Sequence, residues 1–125
     1  MMPLDVTHQM IGTPERIEAF RAIGNRSGNA VAAMLGFSER FDLEKYGWPG
    51  APLHDPCVTA YMIAPEIFEG RLCNVEIECA SPLTRGMTVA DYWHVTDRPR
   101  NATFIRSGDS DAFYTLLAER IARLP

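Results

Sequence analysis

The stretch Gly50-Ala51-Pro52-Leu53-His54-Asp55-Pro56 contains the residues of this chain that are best suited to chemistry. His54 and Asp55 place an imidazole beside a carboxylate, where a Gly/Pro-rich loop meets the start of a helix. Pro56 suits the first helical position, so Asp55 is expected to be the helix cap. An imidazole can transfer a proton near neutral pH, and a carboxylate can bind a hard cation such as calcium. These residue types at this junction are compatible with a chemical site.

The pair also has an ordinary structural interpretation. Asp-Pro is a common helix start, and a histidine before it is often only a polar neighbour with satisfied hydrogen bonds. Calcium takes about 6–8 oxygen ligands, and no second acidic cluster of the sequence obviously converges on Asp55. Residue types alone leave both interpretations open.

The elements that must position this pair follow from hydrophobic periodicity and from turn residues. Helices are expected over residues 13–24, 27–41, 55–64 and 109–123. Strands are expected over residues 2–7, 72–79 and 87–95, with a further strand over 102–106. The strands 72–79 and 87–95 should form an antiparallel hairpin, and residues 44–52 should form a loop.

Side-chain patterns indicate which faces of these elements are buried. Ile17 and Phe20 should point inward from the first helix. The helix over residues 27–41 carries one stripe at helical spacing, made of Val31, Met34, Leu35, Ser38 and Phe41. Val75, Ile77 and Cys79 should form the inner face of their strand. The order of elements mixes α and β and resembles the closing section of an α/β domain. Residues 1–125 are therefore expected to be a single partial domain.

Composition excludes several classes of protein. The 125 residues are 46% hydrophobic, so a real core is expected. The net charge is −4 and the 12 basic residues are scattered, which argues against nucleic-acid binding. No apolar run approaches the ~20 residues that would span a membrane. Neither a nucleic acid nor a membrane is therefore an expected partner.

Three cysteines, Cys57, Cys73 and Cys79, make an odd number without Cys-x-x-Cys spacing. This arrangement argues against a disulfide framework or a zinc site. It favours a reducing compartment, so the cytoplasm is the expected location.

Longer stretches carry a resemblance to a known family. Gly-Ala-Pro-Leu-His-Asp-Pro-Cys-Val at residues 50–58, followed by Ala-Tyr-Met-Ile-Ala-Pro-Glu-Ile-Phe at 60–68, resembles the C-terminal signature of the inosine-uridine-preferring nucleoside hydrolases. Residues 3–9, 74–78, 83–89, 101–102 and 113–117 resemble other family segments in the right order. The resemblance covers nearly the whole chain and implies the C-terminal segment of that α/β fold, which has a mostly parallel sheet flanked by helices and a late antiparallel hairpin.

The resemblance implies an activity and two site residues. Family members hydrolyse the N-glycosidic bond of ribonucleosides to ribose and free base, a reaction of purine and pyrimidine salvage. The family's histidine at the position of His54 lies near the leaving base and is proposed to protonate it. The aspartate at the position of Asp55 is a calcium ligand. Water activated on one face and a protonated leaving group on the other both suit an oxocarbenium-like transition state.

One part of the family pattern is absent. The N-terminal motif Asp-x-Asp-x-x-x-Asp-Asp supplies most calcium ligands and the general base of the family. Asp109 and Asp111 form the only Asp-x-Asp of this chain, and Thr115 and Leu116 stand where the paired acids should follow. The calcium ligand set is therefore expected to be incomplete and the isolated chain to be inactive. Self-association or pairing with a missing N-terminal portion is expected, and the competing hypothesis is a truncated, non-catalytic relic or a binding or assembly module.

Aromatic residues near the loop are candidates for substrate contacts. Phe41 and Tyr46, with Trp48, flank the loop before His54, and such rings can stack on a nucleobase. Core packing is an equally good explanation of their presence.

Other polar residues have a plainer expected role. His8 could line the pocket, but a polar residue at the end of a strand is the favoured interpretation. His94 is expected to be structural or on the surface, and Glu76 and Glu78 to form a solvated strand face.

Overall fold

The computed structural model describes the backbone of residues 1–125 and the side chains outside residues 39–42. Its helices are α1 Leu4–Thr7, α2 Pro14–Ala22, α3 Arg26–Tyr46, α4 Asp55–Ile63 and α5 Ser110–Ile121, with a 3-10 turn at Pro65–Ile67. Its strands are β1 Ile11–Gly12, β2 Ala51–Pro52, β3 Phe68–Ile77, β4 Thr88–Asp91 and β5 Ala102–Gly108. Of these, α2, α4, α5, β4 and β5 confirm predicted elements.

Two antiparallel sheets organise the strands. The long strand β3 lies between β4 and β5, and the predicted hairpin is confirmed by the pairing of β3 with β4. The short strands β1 and β2 pair separately, with Ile11 opposite Pro52 and Gly12 opposite Ala51. This second pairing joins the start of the chain to the loop that leads to His54.

The core lies where α2, α4 and α5 meet β5 and the segment after α1. Its largest fully buried side chains are Phe20, Phe113, Met10, Ile105 and Val6. Burial of such a side chain stabilises the fold by about 1.5–3 kcal/mol. Because Met10 belongs to this core, its backbone is a firm anchor for neighbouring segments.

The predicted strand over residues 2–7 is wrong, because the segment forms helix α1. Val6 and Thr7 are adjacent in sequence and both buried, which a helix packed on one side allows and an alternating strand does not. Pro3 stands at the N-cap, where its missing N–H costs nothing. Only Met1 contacts the sheet as a strand would, since its carbonyl accepts a hydrogen bond from the Ile105 amide at 3.1 Å.

Helix α3 is longer than predicted and its inner face is different. It continues to Tyr46, into the expected loop, and Gly47 ends it in a left-handed conformation with φ 67°. Of the predicted stripe, Leu35 is buried and Val31 is half-buried, whereas Met34 and Ser38 are exposed. Ala32, which was not predicted, is also buried. The remaining stripe position, Phe41, lies outside the described side chains.

The inner face of β3 also differs from the prediction. The strand begins at Phe68, and an irregularity between Glu69 and Gly70 shifts its register with β5. Cys73 and Asn74 are buried, while Ile77 of the predicted inner face is half exposed. Cys79 is exposed as well. The end of β3 pairs with β4, whose residues are exposed or half-buried, so this part of the strand lies beyond the core.

Candidate active site

The loop before His54 is held against β1 by a close backbone contact. A Cβ atom at Gly50 would lie 2.2 Å from the Gly12 carbonyl oxygen, so only glycine fits there. Two residues after β2 begins, the Leu53 amide donates a hydrogen bond to the Met10 carbonyl at 2.9 Å. These contacts fix where the chain leaves the loop and enters α4.

His54 and Asp55 lie at the first turn of α4, and both are exposed. The expected capping role of Asp55 is wrong: His54 occupies the N-cap position, and no side chain caps the helix. Asp55 is instead the first helical residue. Its negative charge there is favoured by the positive end of the helix dipole, and its carboxylate is free for another role.

Helix α1 contacts the imidazole of His54 through the side chain of Thr7. The imidazole Nδ1 lies 2.8 Å from the hydroxyl oxygen of Thr7, which is buried. The ring of His8 lies beside it, with ring centroids 5.7 Å apart in an edge-to-face arrangement. The structure thus brings His54 together with two residues from near the start of the chain.

A row of aromatic rings continues from this point. His8 contacts the edge of Trp48 at a centroid distance of 4.7 Å, and Trp48 stacks on Tyr46 at 4.9 Å. Tyr46 is exposed and Trp48 is half-buried, so the row borders the site instead of filling the core. The predicted contact residue Tyr46 therefore lies in the same neighbourhood as His54, through Trp48 and His8.

The residues present fit a calcium ion only in part. Asp55 has a solvent-facing carboxylate, and within the described residues it has no hydrogen-bonding or ionic partner. Yet no group of three or more His, Cys, Asp or Glu side chains in the described part of the chain could hold a metal. One carboxylate falls far short of the 6–8 oxygen ligands that calcium takes, so the described residues do not form a metal site.

Cys57, one turn further along α4, does not add a nucleophile. Its thiol is buried and donates to the Leu53 carbonyl at 3.0 Å, and burial raises its pKa to about 11. A thiol with that pKa stays protonated near neutral pH and is unreactive. All three cysteines are free.

One cavity lies away from this junction. This cavity of about 500 Å³ between α2 and α5 is lined by Arg16, Phe20 and Tyr114 among others, and includes neither His54 nor Asp55.

Among the described helices, none is both long and apolar enough to cross a lipid bilayer.

Comparison with known proteins identifies the family. The model of the inosine-uridine preferring nucleoside hydrolases matches residues 1–115. The chain belongs to this family. It is 45% identical over 123 residues to a Klebsiella pneumoniae protein named pyrimidine-specific ribonucleoside hydrolase RihA, covering 98% of this chain and 40% of the relative. An uncharacterised protein of Schizosaccharomyces pombe is 47% identical over 125 residues, covering all of this chain and 40% of that protein.

Solved structures of nucleoside hydrolases share the fold. A purine-preferring ribonucleoside hydrolase from Gardnerella vaginalis is 25% identical with a TM-score of 0.79, covering 95% of this chain and 38% of that one. A plant nucleoside hydrolase, at 20% identity, has a TM-score of 0.81. The expected fold class, an α/β C-terminal segment of the nucleoside hydrolase fold, is confirmed. The chain spans about 40% of the length of the curated relatives that it matches.

Thr7 was not found by sequence reasoning, and His8 was considered as a pocket residue but assigned to the end of a strand. Both lie 46 or 47 positions from His54, and their contact depends on α1 being helical, whereas a strand was predicted. The only sequence signal compatible with a short helix was Pro3, a residue suited to a helix start.

Proposed function

We propose that this chain carries the leaving-group side of a ribonucleoside hydrolase site, which hydrolyses the N-glycosidic bond to ribose and free base. The observation that carries the proposal is the exposed His54–Asp55 pair at the start of α4, beside the aromatic row of His8, Trp48 and Tyr46. A proton donor, a free carboxylate and rings that can stack on a base are the groups such a site requires.

His54 is assigned to the leaving base. Its ring is anchored at Nδ1 and exposed elsewhere, so its second nitrogen can face a substrate. Protonating the departing base lowers the barrier to cleavage of the glycosidic bond, and general acid catalysis contributes about 10²–10⁴ in rate. The stacked rings of Tyr46 and Trp48 are assigned to the flat face of the base. Phe41, the other expected contact residue, stays a prediction from the sequence alone.

Asp55 is assigned as one calcium ligand of a complete enzyme. When bound, calcium would supply a positive charge for the sugar hydroxyls and the attacking water. The other ligands and the general base must come from outside the described residues, so the isolated chain is proposed to be inactive. The proposal therefore includes pairing with an N-terminal portion of the family type.

A reducing location such as the cytoplasm is part of the same proposal. Its support is the set of three free cysteines, since disulfides are rare in cytosolic proteins.

The second candidate is a non-catalytic binding or assembly module. It is supported by the incomplete metal site and by large apolar side chains left exposed on α3 and α4, such as Phe37 and Met62. A hydrolase completed by an N-terminal portion and a binding module would both use these surfaces. Only the hydrolase requires His54 and Asp55.

A chimera decides between the two. The portion of the Klebsiella relative that this chain does not match is fused in front of residue 1, and ribose release is measured with calcium. Uridine, cytidine and inosine are all supplied, because one relative is named pyrimidine-specific and one structural neighbour purine-preferring. Hydrolysis that is abolished in His54→Ala and Asp55→Ala supports the enzyme. A folded chimera without turnover on any of the three supports the module.

A further inference from the structure

The hydrogen bond between Thr7 and His54 defines which nitrogen of the imidazole faces the site. Thr7 Oγ1 lies 2.8 Å from His54 Nδ1 and 3.4 Å from the Leu4 carbonyl oxygen. A hydroxyl has one hydrogen to donate, and its oxygen can accept as well. A carbonyl can only accept. The direction of the hydrogen bonds therefore follows from counting donors.

Both contacts are satisfied by one arrangement only. The Thr7 hydroxyl donates to Leu4, so His54 Nδ1 must carry a hydrogen and donate to Thr7 Oγ1. In the opposite arrangement the hydroxyl donates to Nδ1, and the contact with Leu4 is lost. The contact to Leu4 is long and weak, yet a hydroxyl on a helix commonly donates to a carbonyl of the preceding turn.

We propose that Thr7 is a positioning residue that keeps a hydrogen on Nδ1 of His54 and leaves Nε2 as the nitrogen facing the substrate. The inference rests on the proposed function for its catalytic meaning, because only a leaving-group histidine needs one dedicated nitrogen. The partner of one ring nitrogen sets the role of the other. With Nδ1–H donated to Thr7, the imidazolium form of the ring carries its transferable proton on Nε2, and after giving that proton to the leaving base the ring is the neutral Nδ1–H tautomer.

The position of Thr7 suits this role. Its hydroxyl is buried under the ring, so water does not compete for the hydrogen bond. It belongs to α1, whose last residue Thr7 is followed by His8, the ring packed beside His54. The same short helix thus fixes the imidazole both by a hydrogen bond and by a ring contact.

A second histidine provides an internal control. His94 Nε2 lies 3.1 Å from the Leu72 carbonyl oxygen, and since a carbonyl cannot donate, His94 must carry its hydrogen on Nε2. When both rings are neutral, His54 and His94 should therefore be opposite tautomers in the same molecule.

Nitrogen-15 NMR of the 125-residue chain, recorded at a pH where the rings are neutral, tests the inference without any activity. The expected spectrum shows His54 with its hydrogen on Nδ1 and His94 with its hydrogen on Nε2, and His54→Ala identifies the first signal. Thr7→Ser should keep the Nδ1–H form, whereas the isosteric Thr7→Val should lose it and leave His94 unchanged. A wild-type His54 with its hydrogen on Nε2 overturns the inference, even if Thr7→Val fails to fold.

The catalytic meaning is tested separately in the chimera. Thr7→Val should lower kcat on natural nucleosides by about 10²-fold or more, because general acid catalysis by His54 is lost, and should change KM little. Thr7→Ser should restore the rate. An inactive wild-type chimera contradicts the proposed function and leaves the tautomer result standing. An active chimera whose Thr7→Val form keeps the wild-type kcat refutes the positioning role alone.

Discussion

At the scale of single residues, His54 and Asp55 are neighbours with different chemistry. Asp55 offers a carboxylate that has no partner among the described residues, and His54 offers a ring anchored on one nitrogen. Carboxylate oxygen is a good calcium ligand, and imidazole is a poor one. The two substitutions should therefore affect different steps.

In the chimera, we expect His54→Ala to slow hydrolysis of uridine and inosine by about 10²–10⁴ with calcium affinity unchanged. The loss should be small for p-nitrophenyl riboside, whose leaving group departs without a proton. Asp55→Ala should weaken calcium binding and slow both substrate types together. Rates on each substrate with calcium titrated provide the measurement. An equally severe effect of His54→Ala on the activated substrate would show that His54 is not the general acid.

The sequence was sufficient to single out this pair but not its surroundings. The position of these adjacent residues at a loop-to-helix junction can be predicted from the sequence, because Pro56 marks the helix start. Thr7 and His8 reach His54 only through the packing of α1, and no local pattern encodes a contact across 47 positions.

At the scale of elements, the site depends on the approach of the loop to β1. The Gly50 position faces the Gly12 backbone, which cannot move aside as a flexible side chain would. Helix α3 offers a contrasting glycine, since a Cβ atom at Gly36 meets nothing within 4 Å.

Gly50→Ala should lower the free energy of unfolding by about 1–3 kcal/mol, the usual cost of forcing atoms into a packed site. Gly36→Ala, the matched control, should raise it by about 0.4–1 kcal/mol, because alanine restricts the unfolded chain and favours helix. Urea unfolding followed by tryptophan fluorescence measures both. Equal effects of the two substitutions would contradict the close packing of the loop on β1.

Elements with strong local signals were predicted correctly, and those that depend on distant partners were not. Helix α5 has its cap in Asp109, whose carboxylate accepts hydrogen bonds from the amides of Asp111 and Ala112, and its apolar spacing is regular. The segment 2–7 is too short for a helical period to show, so its identity is decided by packing. The inner face of β3 was predicted wrongly at Ile77 because alternation cannot show that this end of the strand pairs with the exposed strand β4, beyond the core.

At the scale of the whole molecule, large apolar side chains remain exposed. They include Leu83 at 91%, Phe37 at 82% and Met62 at 79% exposure. Scattered apolar residues are normal on a surface. Several large apolar side chains as exposed as these indicate surfaces suited to contact with another chain.

The isolated chain is therefore expected to self-associate or to melt at a low temperature. The basis is these exposed side chains, since the predicted strand over residues 2–7 is replaced by the helix Leu4–Thr7 and offers no strand edge for pairing. Size-exclusion chromatography with light scattering over a range of concentrations, together with thermal melting, provides the test. Phe37→Ser and Met62→Ser should reduce association. A compact monomer with a sharp, high melting transition would count against this expectation.

The central claim is that the chain holds the leaving-group half of a nucleoside hydrolase site and cannot work without the other half. The most direct test is ribose release from uridine and inosine with calcium, measured side by side for the isolated chain and for the chimera. We expect no turnover by the isolated chain, and turnover by the chimera at on the order of 1–10³ per second that falls sharply in His54→Ala. Turnover at such a rate by the isolated chain, unaffected by His54→Ala, would contradict it.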